Sequence, residues 1–158
     1  MMSEFTTFRT ATTSDVARAA ELMPMLADFE VPEHRDPSHL WASDLALFEA
    51  VVAGTAPDSF AEVATDDADN VIGLILVTLR EELMSRAPSA HLEAIVVAPE
   101  ARGSGLGRRL LQRAEALAAE RGARSLSLHV FTNNQRARSL YDASGYDSEL
   151  IRATKWFD

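Results

Sequence analysis

The chain has 158 residues, 47% hydrophobic and 25% charged, a composition typical of a globular protein that buries a core of its own. The net charge of −9 argues against a general nucleic-acid binder, and the lack of cysteine excludes disulfides and thiolate metal sites. No segment approaches the roughly 18 apolar residues of a membrane span, and the start of the chain lacks the pattern of a signal peptide. We therefore expect a cytoplasmic protein with a single domain over residues 1–158, no bound metal, and no nucleic-acid or membrane partner.

Strands and helices are predicted to alternate from the first residues onward. The stretch Phe5–Ala11 predicts a strand, and apolar spacing predicts a helix from Asp15 to Phe29 that Pro24 should kink. A polar loop leads to a second predicted helix from Pro37 to Ala53. Two apolar runs joined by an Asp/Asn-rich turn between Ser59 and Glu82 then predict a β-hairpin.

The second half continues the alternation. It predicts a strand over Ala90–Ala98, a helix over Gly105–Arg121, a strand over Arg124–Phe131 and a helix over Asn134–Ser144. The final stretch, Gly145–Phe157, contains strand-like residues. This order predicts an α/β fold in which a mixed sheet carries helices on both faces.

A glycine-rich loop separates the strand at Ala90–Ala98 from the following helix. Its sequence is Arg102-Gly103-Ser104-Gly105-Leu106-Gly107, and it begins a region, residues 101–138, with eight arginines and only two acidic residues. The start of a helix presents free amides and the positive end of the helix dipole, and glycines let a ligand approach the backbone. The loop therefore suits phosphate, although glycines that serve only a tight turn are the structural alternative.

Two familiar phosphate-binding motifs do not fit this loop. A dinucleotide fingerprint requires a third glycine where the chain has Arg108, and a P-loop requires Lys-Ser/Thr where it has Arg108-Arg109. The sequence also argues against nucleotide-dependent phosphotransfer, because the P-loop lysine and a metal-binding pair of acidic residues are both missing.

Two motifs together resemble those of the GNAT superfamily of acyl-CoA-dependent N-acetyltransferases. The loop fits the family's R/Q-x-x-G-x-G/A signature, and the strand before it, LEAIVVAP, is similar to the family's fourth strand. Downstream, NNQRARSLYDASGY is similar to the second signature, and FRTATTSD matches the usual opening of the family. The resemblance runs from about residue 8 to residue 146 and implies a mostly antiparallel sheet, splayed between its fourth and fifth strands.

The resemblance also implies a site for acetyl-CoA as co-substrate. The pantetheine arm would lie in the splay and bond the fourth strand, and the loop amides would hold the pyrophosphate. Asn134 would contact the cofactor. Its alternative role is that of a helix N-cap, which Asn133 could also fill. Tyr141 would be the general acid, with aromatic packing as its structural alternative. The cofactor-binding set implied is Ile95, Val96, Val97, Arg102, Gly103, Ser104, Gly105, Leu106, Gly107, Arg108, Asn134 and Tyr141.

The reaction needs a base because an alkyl ammonium, with a pKa of roughly 10.4, must lose a proton before it can attack. Glu93 is the leading candidate, and strand alternation predicts that it shares a face with His91 and Ile95 near the splay. His129, on the predicted fifth strand, is the rival, and a water is the third alternative. A purely structural role remains open for Glu93 and for His129.

The sequence contains no signature specific for one acceptor. In the family the acceptor site is shaped by segments that correspond here to residues 30–41 and 80–90, which contain His34, Arg35, Asp36, His39, Trp41, Glu81 and Glu82. The acidic body favours a cationic small amine or a peptide terminus. The sequence therefore predicts a single N-acetyltransferase domain acting on a primary amine in a ternary complex. A non-catalytic acyl-CoA-binding regulatory module is the alternative, and a homodimer stays open.

Overall fold

The computed structural model describes residues 6–157, so Phe5 of the predicted first strand lies outside the described residues. Five strands form one sheet in the order β1-β2-β3-β4-β5. They are β1 (Thr7–Thr10), β2 (Ser59–Thr65), β3 (Val71–Glu81), β4 (Pro88–Val97) and β5 (Leu126–Leu128). The first four strands pair antiparallel and β5 pairs parallel to β4, so the predicted mixed sheet is confirmed.

Residues 6–157 contain four α-helices. They are α1 (Val16–Leu22), α2 (Ala42–Val52), α3 (Leu106–Glu120) and α4 (Gln135–Ala143). Of these, α1, α2 and α3 pack on the sheet. The predicted long first helix is wrong beyond Leu22, because the segment Met23–Ala27, with Pro24 in its first turn, is a 3₁₀ helix. The second predicted helix likewise begins as a 3₁₀ turn, Pro37–Leu40, before α2. None of the helices within residues 6–157 has the length and apolarity to cross a bilayer.

The core forms between the sheet and its helices. Helix α3 buries one apolar stripe, which includes Leu110, Leu111 and Leu117, against β3 and β4. Gly73 on β3 permits this approach, because a Cβ at that position would lie 2.8 Å from Leu110 Cδ1 and 3.0 Å from the backbone oxygen of Val96. Helices α1 and α2 pack together and cover the other face. The close fit of α3 fixes the position of the glycine loop at its start.

The β2–β3 hairpin is confirmed, and its turn is organised by one carboxylate. Asp66 accepts hydrogen bonds from the backbone amides of Ala68 (3.0 Å) and Asn70 (2.9 Å). Asp69 adopts a φ of 62°, a left-handed conformation that Asp tolerates better than most residues. Local side-chain bonding of this kind is what the Asp/Asn-rich sequence predicts for a turn.

Strand β4 contains a bulge at Glu93. Leu76 of β3 pairs with Ala94, and the next residue, Val77, pairs with Leu92, so Glu93 is an extra residue without a partner. The side chains therefore change phase across the bulge. His91 lies opposite position 78 of β3 and Ile95 lies opposite position 75, three residues apart, which directs them to opposite faces. The expectation that these two residues share a face is wrong for this reason.

The end of the chain does not form the strand that its residues suggest. Residues 147–157 contain no helix or strand and make no backbone hydrogen bond with the described residues. Leu150, Ile151 and Phe157 are exposed. A strand is stable only when a neighbour supplies its ladder of hydrogen bonds, and local propensity cannot provide that partner.

Candidate active site

A cavity of about 420 Å³ opens where β4 and β5 separate. The parallel ladder between them includes only three residue pairs and ends at Leu92 and Leu128. Beyond that point the two segments of the chain diverge. The opposite walls of the cavity are lined by residues 92–97 and residues 129–131. The predicted fifth strand is therefore much shorter than Arg124–Phe131, because its second half has no partner. The predicted splay between the fourth and fifth strands is confirmed.

The edge of β4 that faces the cavity has free backbone groups. The amide of Ala98 donates to the carbonyl of Ile72 at 2.8 Å, so this position bonds β3. In an antiparallel pair, every second residue directs its N–H and C=O to the same neighbouring strand. Val96, two residues before Ala98, therefore also directs its backbone groups to β3. Ile95 and Val97 then direct their backbone groups into the cavity. Of the three residues implied by the resemblance, these two can bond an extended ligand.

The glycine loop offers a continuous row of amide donors. Among the described residues, no backbone amide from Gly103 to Arg108 has a hydrogen-bond acceptor. Gly103 and Gly105 adopt φ angles of 77° and 83°, which turn the chain into α3, and a Cβ at either position would meet no atom within 4 Å. Six free amides at a helix start form a site for an anion, and Gly105, Leu106, Gly107 and Arg108 also line the cavity.

Side chains near the loop complete its basic character. Arg102 donates to Asp28 at 2.9 Å, and Arg136 lies 3.5 Å from the same carboxylate. These two guanidinium groups hold the pKa of Asp28 below its usual range, chiefly through the Arg102 hydrogen bond. Arg108 is exposed and forms no ion pair within residues 6–157. Arg102 thus ties the loop to the segment after α1, while the Arg108 side chain stays available to a ligand. Ser104 donates to the carbonyl of Ala101 and stabilises the turn.

Tyr141 projects from α4 into the same cavity. The residue is 8% exposed, and its hydroxyl has no hydrogen-bond partner among the described residues. Burial raises its pKa to about 12, so the phenol keeps its proton at neutral pH. Its ring packs edge-on against Tyr146 at 5.9 Å, and Tyr146 is itself held by a 2.7 Å hydrogen bond to Glu115. The ring of Tyr141 therefore packs as the structural alternative predicts, while its hydroxyl has no partner within residues 6–157.

The two asparagines before α4 have different roles. Asn134 is the N-cap, and its side-chain oxygen accepts from the amide of Ala137 at 3.3 Å. Its NH₂ group remains available at the cavity wall, so the capping role and the cofactor contact are compatible. Asn133 does not cap the helix but donates to the carbonyl of Glu30.

The bulge at Glu93 brings this half-buried carboxylate to the cavity wall. Without the extra residue, the side chains of β4 would continue to alternate between the two faces of the sheet in the order set by the residues before Glu93. Glu93 lines the same cavity as the open edge of β4 and Tyr141. No ion pair or hydrogen bond occupies its carboxylate within residues 6–157.

His129 follows β5 directly and lines the opposite wall. Its ring lies 4.7 Å from that of His91, centroid to centroid. His91 is 4% exposed, and its Nδ1 is 2.8 Å from the hydroxyl of Ser127. The pKa of His91 is lowered to about 4, mainly by burial and further by the charges of Arg80 and His129. His91 is therefore neutral at physiological pH. Both candidate bases thus border one cavity.

Asp44 was not among the site residues predicted from the sequence. This half-buried carboxylate in the first turn of α2 lines the cavity, and the charge of Glu93 acts on it. Burial, together with that neighbouring charge, raises its pKa to about 7. In the sequence alone, an acid in the first turn of a helix indicates only a favourable interaction with the helix dipole. Its approach to Glu93 depends on the packing of α2.

The residues expected to shape the acceptor site lie elsewhere. His34 stacks on Trp156 at 5.8 Å, and Arg35 lies 4.9 Å above the same ring. Asp36 accepts from the amide of Ser38 at 2.9 Å and starts a 3₁₀ turn. Glu82 accepts from the amide of Ser85 at 2.6 Å and orders its own loop. None of the seven expected residues lines the cavity, whose wall here is formed by Met25, Leu26, Phe29, Leu40 and Asp44.

Comparison with known proteins agrees with this geometry. The sequence matches the Acetyltransferase (GNAT) family over residues 17–146, which is most of the chain. It is 31% identical over 143 residues to the uncharacterized N-acetyltransferase YhfO of Bacillus subtilis, covering 89% of each protein. The chain therefore belongs to the GNAT family and is of the class of acetyl-CoA-dependent N-acetyltransferases.

Solved structures show the same fold. The aminoglycoside 6'-N-acetyltransferase AAC(6')-Ih from Acinetobacter baumannii has a TM-score of 0.72 at 20% identity, covering 98% of this chain and 100% of that one. AAC(6')-Iy in complex with a CoA-containing bisubstrate analog has the same score, identity and coverage. At this identity the likeness establishes the fold alone.

Proposed function

We propose that this chain transfers the acetyl group of acetyl-CoA to a primary amine by direct attack in a ternary complex. One observation carries the proposal: the open edge of β4, the free amides of the glycine loop and the Tyr141 hydroxyl all border the same cavity. We infer that residues 1–158 act as one domain, because the cavity combines elements from the segment after α1 to α4.

The cofactor fits the donors that the cavity supplies. A pyrophosphate is an acceptor of several hydrogen bonds, and the amides from Gly103 to Arg108 are six unsatisfied donors at a positive helix end. The amide-rich pantetheine arm would pair with the free backbone groups of Ile95 and Val97, in place of the missing length of β5. Val96 contributes its side chain to the core, and Asn134 offers its NH₂ group.

The thioester supplies an activated acetyl group, and the protein supplies a base and a hydrogen-bond donor. Glu93 would take a proton from the acceptor amine, directly or through a water, with His129 as the alternative base. Tyr141 would donate a hydrogen bond to the departing sulfur. A thiol has a pKa of roughly 8.5, so complete transfer from a phenol with a pKa of about 12 would be uphill by about 5 kcal/mol. Tyr141 therefore acts by stabilising developing negative charge, and the amine is the net source of the thiol proton.

An acetyl-transfer screen over primary amines tests this function, with release of free thiol as the readout. We expect thiol release above the rate measured without amine for at least one acceptor, and acetylated product of the corresponding mass. Tight binding of acetyl-CoA with no turnover on any amine would contradict the proposal and favour the acyl-CoA-binding regulatory module.

A further inference from the structure

The charges of the cavity are divided between its two ends. Arg102, Arg108 and Arg136 border the end at the glycine loop, where Asp28 balances part of their charge. The two other carboxylates that line the cavity, Asp44 and Glu93, lie at the end formed by α2 and the β4 bulge. One end is therefore suited to an anion and the other to a cation.

Asp44 has no partner that would stabilise its charge. No described hydrogen-bond donor or cation acts on its carboxylate; the influences on it are burial and the negative charge of Glu93. A half-buried carboxylate usually has a hydrogen bond or a counter-ion, because loss of hydration is otherwise uncompensated. Two such groups in one cavity repel each other until a cation or a proton reaches them.

Resting on the proposed function, we propose that Asp44 is an acceptor-binding residue that, together with Glu93, receives the substrate as an ammonium ion and takes its proton. The cavity between α2 and β4 thus selects aliphatic primary amines that are positively charged at neutral pH. Uncharged arylamines would gain nothing from the two carboxylates. The apolar residues Met25, Leu26, Phe29 and Leu40 on the same wall would cover the carbon skeleton of the amine.

Acetyl transfer accounts for all three protons of the ammonium group. The ammonium group gives one proton to the carboxylate pair, and its nitrogen forms the bond to the acetyl carbon as the carbon–sulfur bond breaks. A second nitrogen proton leaves with the sulfur as thiol, and the third remains in the amide product. The pair carries one proton after the step and releases it to solvent before the next acceptor binds. The raised pKa of Asp44, about 7, suits a group that must accept and release a proton near neutral pH.

The test compares Asp44→Asn with wild type on two matched kinds of acceptor at pH 7.5. Tyramine and 2-phenylethylamine are charged alkylamines, whereas 4-aminophenol and aniline are neutral arylamines of similar ring chemistry. Glu49→Gln is the control variant, because Glu49 is an exposed carboxylate on the same helix. Affinity for acetyl-CoA is measured in parallel and confirms that each variant is folded.

We expect wild type to prefer the alkylamines and Asp44→Asn to lower kcat/KM for them by about 10- to 100-fold, which is less than for a fully buried charge pair because Asp44 is only half-buried. Arylamine turnover and acetyl-CoA affinity should change less than about 3-fold, and Glu49→Gln should resemble wild type. An equal effect on both kinds of amine, no effect, or a wild-type preference for arylamines would overturn the inference and leave acetyl transfer intact. Acetyl-CoA binding without turnover of any amine would overturn the proposed function, and this inference with it.

Discussion

The substitution Asp44→Asn should increase the stability of the protein at neutral and alkaline pH. The Asp44 carboxyl group has a pKa of about 7 in place of its ordinary 3.8, chiefly because it is buried and secondly because Glu93 is near. The folded state therefore binds this proton more tightly than the unfolded state does. Ionisation of Asp44 opposes folding, and an amide of the same shape removes that penalty.

The size of the effect follows from the two pKa values. A difference between 3.8 and about 7 corresponds to an upper limit of about 4 kcal/mol. Partial access to solvent reduces this limit, and we expect Asp44→Asn to be more stable than wild type by about 1 to 3 kcal/mol at pH 8. The penalty is absent below pH 3.8, grows as pH rises toward 7, and is constant above it.

His91 has the opposite effect on stability and must be separated from Asp44. Its pKa is lowered from 6.5 to about 4, mainly by burial, so its contribution to stability is fully present above pH 6.5 and is lost as pH falls toward 4. In wild type the two groups partly cancel between pH 4 and 6.5. In Asp44→Asn the opposing Asp44 effect is removed and that of His91 remains, so stability should rise with pH across that interval.

Urea denaturation of both proteins at pH 4.5, 6, 7 and 8 tests this reasoning, with Glu49→Gln as the control. The stability difference between Asp44→Asn and wild type should be smallest at pH 4.5 and largest at pH 8, whereas Glu49→Gln should show no such trend. A difference that does not vary with pH, or an Asp44→Asn variant that is less stable than wild type at pH 8, would refute the assignment of an unpaired, destabilised carboxylate.

Three further predictions concern the cofactor and the chemistry. Gly105→Asp should reduce acetyl-CoA affinity by at least about 10-fold in calorimetry, since it places a negative charge where phosphate would lie; Gly122→Asp, with a comparable φ of 91° and equally open surroundings, is the control and should bind normally. Glu93→Gln should lower turnover by roughly 100-fold near pH 7 without loss of acetyl-CoA binding, and a larger loss in His129→Ala would transfer the base role to that residue. Tyr141→Phe should lower kcat by about 10- to 1000-fold, while the dissociation constant for acetyl-CoA and the melting temperature barely change. If the variant has the kcat of wild type in an assay where chemistry limits the rate, Tyr141 has only a packing role.

Much of the cofactor end could be predicted from the sequence because its determinants are local. Glycines at positions 103 and 105, a helix start immediately after them and an apolar stripe along that helix lie within one short segment. Backbone conformation and amide availability depend on neighbours in the chain, so the free amides of the loop follow from that segment alone. The Asp/Asn turn between β2 and β3 was predictable for the same reason.

The acceptor end was decided by tertiary structure. The bulge at Glu93 arises from the pairing of β4 with β3, and periodicity within β4 contains no sign of it. The length of β5 depends on where it leaves β4, and the strand expected at the end of the chain lacks a partner. Asp44 becomes significant only because the packing of α2 brings its first turn to the wall of the cavity that Glu93 also lines. Contacts between residues distant in sequence set the burial and the electrostatic field of a carboxylate, and these determine whether it serves as a surface charge or as part of a site.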